Sequence, residues 1–176
     1  MASRSSRTDD HGLEQRPEEA QLAIVAYGPN EPVTDSPTGW VAKHVGRYVE
    51  SDGKKGHRWN GVDTLLLTTR GRSTGTLRRT ALIYARDRGR FVVVASNGGS
   101  KSHPNWYQNL VADPHVFVQV AEERFAALAR TAAASQRPRL WSLMVSIWPE
   151  YERYQTRTTR EIPVVILERF ENAAPK

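Results

Sequence analysis

Between residues 62 and 96 the chain passes through three stretches of β-branched and aliphatic residues, at 62–69, 77–86 and 91–96, separated only by short glycine-bearing loops. Loops of that length close hairpins, whereas a parallel crossover takes a dozen residues or more and usually a helix. Three consecutive antiparallel strands are therefore expected, joined at residues 71–75 and at Asp87-Arg88-Gly89. This order excludes a doubly wound dinucleotide-binding sheet, which alternates strand with helix and carries a glycine fingerprint after its first strand; no such fingerprint occurs here.

The rest of the chain extends that pattern. Further strands are expected at about 116–120 and 125–131, joined by a turn at Glu122-Glu123, and at 162–167, where Pro163 sits near the strand start. Thr38 can cap a helix whose Trp40, Val41, His44, Val45, Tyr48 and Val49 form one stripe, ended by Ser51-Asp52-Gly53. Pro104 opens a short helix bearing Trp106, Leu110 and Val111, and Asp113-Pro114 stops it. Residues 137–154 read as one long helix with Leu140, Trp141, Met144, Ile147, Trp148 and Tyr151 on one side. The class is α+β: about six mostly antiparallel strands, curling into a small barrel, with flanking helices.

At 176 residues one domain is expected, spanning residues 38–170. It follows a leader at 1–37 that is largely disordered or irregular and precedes a short tail at 171–176. Residues 1–20 are rich in Ser, Arg, Asp and Glu and too poor in large apolar side chains to offset the entropy of ordering. They lack the apolar core of a signal peptide, and the run at 22–27 is too short to cross a bilayer, so a cytoplasmic location is expected.

The formal charge of +6 is local. Seven arginines (70, 72, 78, 79, 86, 88 and 90) face a single acid, Asp87, within residues 70–90, while 18 bases and 18 acids cancel over the remainder. A basic excess confined to one segment points to a small anionic ligand and away from general nucleic-acid binding. The absence of cysteine excludes disulfides, thiolate metal sites and a thiol nucleophile. The five histidines show no paired ligand spacing, and neither a phosphate-binding P-loop nor a nucleophile elbow occurs, so no metal site and no hydrolytic centre is expected.

Residues 70–79 gather four guanidinium groups, three hydroxyls and two glycines. Such a loop can cradle a phosphate or carboxylate, or it can be a solvated hairpin; charge alone does not choose between them. Ser96-Asn97-Gly98-Gly99 follows an apolar strand directly, and its glycines permit either a plain loop or close approach of a flat ligand. Trp106 and Trp141 read as packing residues. Tyr151 and Tyr154 lie in the polar stretch 150–157 and are candidates to meet a ligand and donate a proton. An anion cradle, a glycine-lined slot and aromatic walls without a nucleophile suit an enzyme whose cofactor does the chemistry.

Four segments in register bear a family resemblance: Gly71-Arg72-x-Thr74-Gly75-x-x-Arg78; Ser96-x-Gly98-Gly99; Pro104-x-Trp106-Tyr107-x-Asn109-Leu110; and Trp148-Pro149-x-Tyr151-x-x-Tyr154-Gln155 before Arg160-x-Ile162-Pro163. Over about residues 62–168 the chain resembles the deazaflavin-dependent nitroreductase family. The resemblance implies a split β-barrel binding coenzyme F420, a deazaflavin with a phosphate and a polyglutamate tail, whose reduced form delivers hydride to quinones, activated enones or nitroaromatics. By that similarity Arg72, Arg78 and Arg79, with Ser73 and Thr74, hold the anionic tail. Ser96, Asn97, Gly98, Gly99, Trp106 and Asn109 line the ring, and Trp148, Tyr151 and Tyr154 face the substrate, Tyr151 being the preferred proton donor. Ser73 and Asn97 stand where the family can have lysine, and Trp148 where a relative has tyrosine. The alternatives are an FMN enzyme on the same barrel, or a non-catalytic module binding deazaflavin or single-stranded nucleic acid. The helix at about 38–50 is compatible with core packing, subunit pairing and peripheral contact with the inner face of a membrane, core packing being the simplest.

Overall fold

The computed structural model describes residues 31–37 and 39–170, so the leader up to residue 30, the proposed cap Thr38 and the tail lie outside the described residues. The described residues form nine strands: β1 (Val33–Asp35), β2 (Arg58–Trp59), β3 (Val62–Arg70), β4 (Leu77–Ile83), β5 (Ala85–Asp87), β6 (Arg90–Val94), β7 (His115–Val120), β8 (Glu123–Thr131) and β9 (Val164–Arg169). Four helices accompany them: α1 (Gly39–Glu50), α2 (Asn105–Ala112), α3 (Arg137–Ile147) and α4 (Glu150–Thr156). The strand order is β1-β4-β3-β7-β8-β9-β6-β5, with β2 paired to β3 off this path. Every pairing is antiparallel except β1 on β4.

The α+β class stands, and the count of about six strands is corrected to nine. Two of the additional strands are very short: β1 lies in the segment expected to be irregular leader, and β2 precedes the turn Asn60-Gly61. The third arises because the expected strand at 77–86 breaks at Tyr84. Before the break, Ile83 pairs with Thr64 of β3; after it, Ala85 pairs with Val92 of β6. One residue thus links strands near opposite ends of the sheet, so the sheet curls until those ends meet. Tyr84 turns its ring into the interior, 5.6 Å from Phe91.

The expected helix at 137–154 is likewise two helices. Proline lacks an N–H and disfavours helical backbone at the residue before it, and Trp148, preceding Pro149, is extended at φ −135°, ψ 89°. The chain restarts as α4 at Glu150.

The curl gives the sheet an inner and an outer face. Leu65 and Leu67 of β3 share the inner core with Val93 of β6, Val118 of β7 and Val165 of β9. Their neighbours point outward because side chains alternate along a strand. Leu66 lies under Val41, Val45 and Tyr48 of α1, and Val92, Val94, Val164 and Ile166 lie under α3 and α4. Both faces being covered explains why β9 reads as a continuous apolar run. The Tyr48 hydroxyl ties α1 down, donating to Thr64 O (3.1 Å) and accepting from the Ala121 N–H (2.7 Å). Among the described residues no helix is long and apolar enough to cross a membrane.

Candidate active-site cleft

A cleft of about 1240 Å³ lies between α1, the outer side of β4, the loop at 96–104, the start of α2 and the joint between α3 and α4. Of the residues that the resemblance assigns to the anionic tail, the ring or the substrate, all but Gly99 line it.

At one end stands the hairpin between β3 and β4. It is tight: the Gly71 N–H donates to Thr76 O at 2.8 Å and the Gly75 N–H to Gly71 O at 2.7 Å. A Cβ on Gly71 would come within 2.7 Å of Thr74 Oγ1. The four arginines of this segment have different fates. Arg70 is paired with Glu31 at 2.7 Å and Arg79 with Asp35 of β1 at 2.6 Å. Arg72 and Arg78 have no acidic partner among the described residues. Arg72 is oriented through Asn109, whose Oδ1 accepts from both its backbone N–H (3.2 Å) and its Nη1 (3.1 Å). Asn109 is buried and donates in turn to Thr69 Oγ1 at 3.1 Å, so it contributes by holding Arg72 in place. The Thr74 hydroxyl is shared with that of Thr76 at 2.8 Å, while Ser73 is exposed and makes no hydrogen bond to the described residues.

The loop after β6 holds Asn97, Gly98 and Gly99 in succession at positive φ (47°, 61° and 78°). The two glycines do different work. Gly98 has open space where a Cβ would stand and lines the cleft. Gly99 is buried against α4, and a Cβ there would sit 2.5 Å from Tyr154 O and 3.0 Å from Arg157 Cβ. It allows the loop to dock on the helix and does not border the cleft.

Arg160, which the sequence places in a motif but gives no role, staples this loop. Its guanidinium donates to Ser96 O (2.7 Å), Ser100 O (2.8 Å), Ala95 O (3.3 Å) and His103 Nδ1 (3.1 Å). Because arginine only donates, His103 accepts at Nδ1 and its proton resides on Nε2. Burial, reinforced by the Arg160 cation, holds the His103 pKa below its ordinary value. Gln155 closes the segment that brings Arg160 here, donating to Arg160 O at 2.8 Å and accepting from the Ile162 N–H at 2.9 Å.

The other end is aromatic. Tyr151 is 5 % exposed, and burial, with Tyr154 beside it, pushes its phenol well above the usual tyrosine range. Tyr154 meets it edge-on at 6.2 Å. Trp106 packs against the inner core and stands perpendicular to Tyr107. Trp148 reaches the cleft from the α3–α4 joint, where it touches Trp59 of β2. Trp59 escaped the sequence reading although Asn60-Gly61, a strong two-residue hairpin signal, follows it directly. Among the described residues no group of His, Asp and Glu is placed to hold a metal ion.

A curled, largely antiparallel sheet bearing, at one end of a long cleft, two guanidinium groups with no acidic partner among the described residues, and stacked aromatics at the other end, suits a cofactor-binding enzyme. The comparisons with known proteins specify which one. The family model described as F420H(2)-dependent quinone reductase matches residues 40–169. An F420H(2)-dependent quinone reductase of Mycobacterium tuberculosis strain H37Rv is 38 % identical, with 74 % of this chain and 96 % of that protein covered. Among solved structures, an F420-H2 dependent reductase (FDR-A) is 39 % identical at TM-score 0.56, covering 60 % of this chain and 93 % of its own. A protein solved as a domain-swapped dimer is 36 % identical at TM-score 0.58, covering 76 % and 100 %. The chain belongs to the F420H(2)-dependent quinone reductase family: it is an oxidoreductase whose hydride donor is reduced F420. The FMN and non-catalytic readings are not favoured.

Proposed function

We propose that this chain, on a split β-barrel, reduces quinones and related electron-poor small molecules, with Arg72 and Arg78 gripping the anionic tail of the cofactor and Tyr151 serving the acceptor. The observation behind this reading is the polarity of the cleft: positive charge with no acidic partner among the described residues at the β3–β4 hairpin, planar aromatic surface and a buried phenol at the α3–α4 joint. The residues present suit F420. Two guanidinium groups with no acidic partner among the described residues match a phosphate and carboxylate tail, and the open side of Gly98 leaves room for a flat ring beside Ser96 and Asn97. Arg79, paired with Asp35, adds positive potential more than a free hydrogen-bonding fork.

Bound reduced F420 supplies a hydride. What this chain contributes is position, dryness and a proton. Asn109 presets the Arg72 fork, so little side-chain entropy is lost when an anion is bound. Arg160 holds the 96–103 loop rigid by four hydrogen bonds, which fixes the floor against which a flat ring rests. The Tyr151 hydroxyl keeps its proton throughout the neutral range. It is therefore present as a donor to the acceptor oxygen, which gains negative charge as hydride arrives at the acceptor carbon. Protonation of that oxygen, directly or through water, completes the two-electron reduction.

Titration of the purified protein with oxidised F420, followed by oxidation of the reduced form against quinones, enones and nitroaromatics, tests the reading. Saturable binding and quinone-dependent oxidation are expected. No binding of F420, with saturable binding of FMN, would overturn it.

A further inference from the structure

Two consecutive arginines of β4 border the cleft, Arg78 and Arg79, and the register of β1 gives them opposite characters. β1 runs parallel to β4 with Thr34 opposite Arg78 and Asp35 opposite Arg79. Residues opposite one another on paired strands share a face of the sheet, whereas successive residues of one strand point to opposite faces. Asp35 therefore leaves β1 on the side of Arg79 and closes its fork, accepting from Nε at 2.6 Å and from Nη2 at 3.1 Å. Opposite Arg78 stands only an uncharged threonine.

The closed pair is within a ligand's reach. The Asp35 and Arg79 side chains are 37 % and 20 % exposed, and both residues line the same cleft as Arg72 and Arg78. Among the described residues lining that cleft, Asp35 is the one acid. Its backbone setting is firm, because the Ser36 N–H donates to Arg79 O at 2.8 Å and Glu31, ahead of β1, is paired with Arg70 at 2.7 Å. That second pair does not border the cleft. A carboxylate on a guanidinium fork has the chemistry of a tail carboxylate on the same fork, so an anion that comes to Arg79 must displace Asp35 or lie beside a like charge.

Resting on the tail-gripping reading above, we propose that Asp35 is a specificity-determining residue of the cofactor site: by holding Arg79 closed, it limits how strongly the protein prefers a deazaflavin with an anionic tail over one without. The tail is held through Arg72 and Arg78. The third guanidinium group of the cleft is kept out of use by an acid that sits at the same level of the sheet.

The test compares, by titration at one fixed ionic strength, the affinities for F420 and for the deazaflavin alcohol that lacks the phosphate and glutamates. The proteins are the natural chain, Asp35→Asn, Asp35→Ala, and Asp35→Asn combined with Arg79→Gln. Opening one fork to an anion should raise the F420-to-alcohol affinity ratio about tenfold in both single variants. Affinity for the alcohol should stay within about twofold, which reports that the ring site is folded; a variant that fails this control is replaced by the other. In the double variant, which has neither the acid nor the fork, the ratio should return to within about twofold of the natural value. A ratio that is unchanged or lower in the single variants, or a rise that persists without Arg79, overturns this inference and leaves the functional reading standing. Failure of the natural protein to bind F420 overturns both.

Discussion

Two arginine-rich regions look alike in the sequence and are opposites in the fold. At the cleft, Arg72 and Arg78 face a large open space with no carboxylate among the described residues to neutralise them. On β5 and β6, Asp87, only 7 % exposed, accepts from Arg139 at 2.7 and 3.0 Å and from Arg90 at 2.9 Å, while Arg90 and Arg130 share Glu168 at 3.3 and 3.0 Å. Hydrogen bonds from Arg139, with Arg90 assisting, hold the Asp87 carboxyl at about 2 despite burial. Arginine density alone does not make an anion site. An arginine is open to an anion only where no acid within reach neutralises it.

The sharpest way to break this contrast is to remove both cleft arginines. Each charge-assisted contact with an anion contributes on the order of 1.5–3 kcal/mol, so Arg72→Ala with Arg78→Ala should weaken F420 binding at least about 100-fold, read by titration. Thermal stability should hardly change, since neither is ion-paired among the described residues. Unaltered affinity would show that the open guanidinium groups are solvated surface after all.

Asp87→Ala should do the reverse. It leaves two guanidinium groups facing a vacated carboxylate position, at a cost on the order of 2–3 kcal/mol in urea unfolding, with F420 affinity retained. The paired glycines offer a smaller contrast of the same kind. Gly99→Ala combines left-handed backbone with a clash against Tyr154 O and should cost about 2 kcal/mol, whereas Gly98→Ala bears only the backbone strain, about 1 kcal/mol. Equal losses would show that Gly99 does not dock α4.

Tyr151→Phe separates holding from turnover: kcat should fall about tenfold, equivalent to ~1.4 kcal/mol, with F420 affinity unchanged. A further effect is confined to acid. Because the folded Asp87 pKa, about 2, lies below the unfolded value near ~3.9, its stabilisation is complete above that unfolded value and is lost as pH falls toward 2. Asp87→Asn should flatten that part of the acid-unfolding curve, and an unchanged curve would remove Asp87 from it.

Legibility in the sequence followed the range of the interaction responsible. Strands β3, β7 and β8 were readable because alternation and short loops act over a few residues. The break at Trp148-Pro149 and the hairpin at Asn60-Gly61 are also written locally, in a proline within a helical run and in an Asn-Gly pair. The break at Tyr84 was not readable. Residues 77–86 have strand-like composition throughout, and only the change of partner from β3 to β6 divides them. Nor could Gly98 and Gly99 be told apart, since their difference is the position of Tyr154, 55 residues beyond Gly99.

The amino-acid sequence alone determined the antiparallel hairpin order, the supply of arginine and aromatic side chains and the absence of thiol chemistry, because backbone sterics, side-chain alternation and residue identity are local properties. Only the tertiary structure decided which arginines remained open, which glycine faced the cleft and which tryptophans met. Charge neutralisation and ring stacking depend on distances of a few ångströms between groups far apart along the chain: Arg79 and Asp35 are separated by 44 residues, and Trp59 and Trp148 by 89.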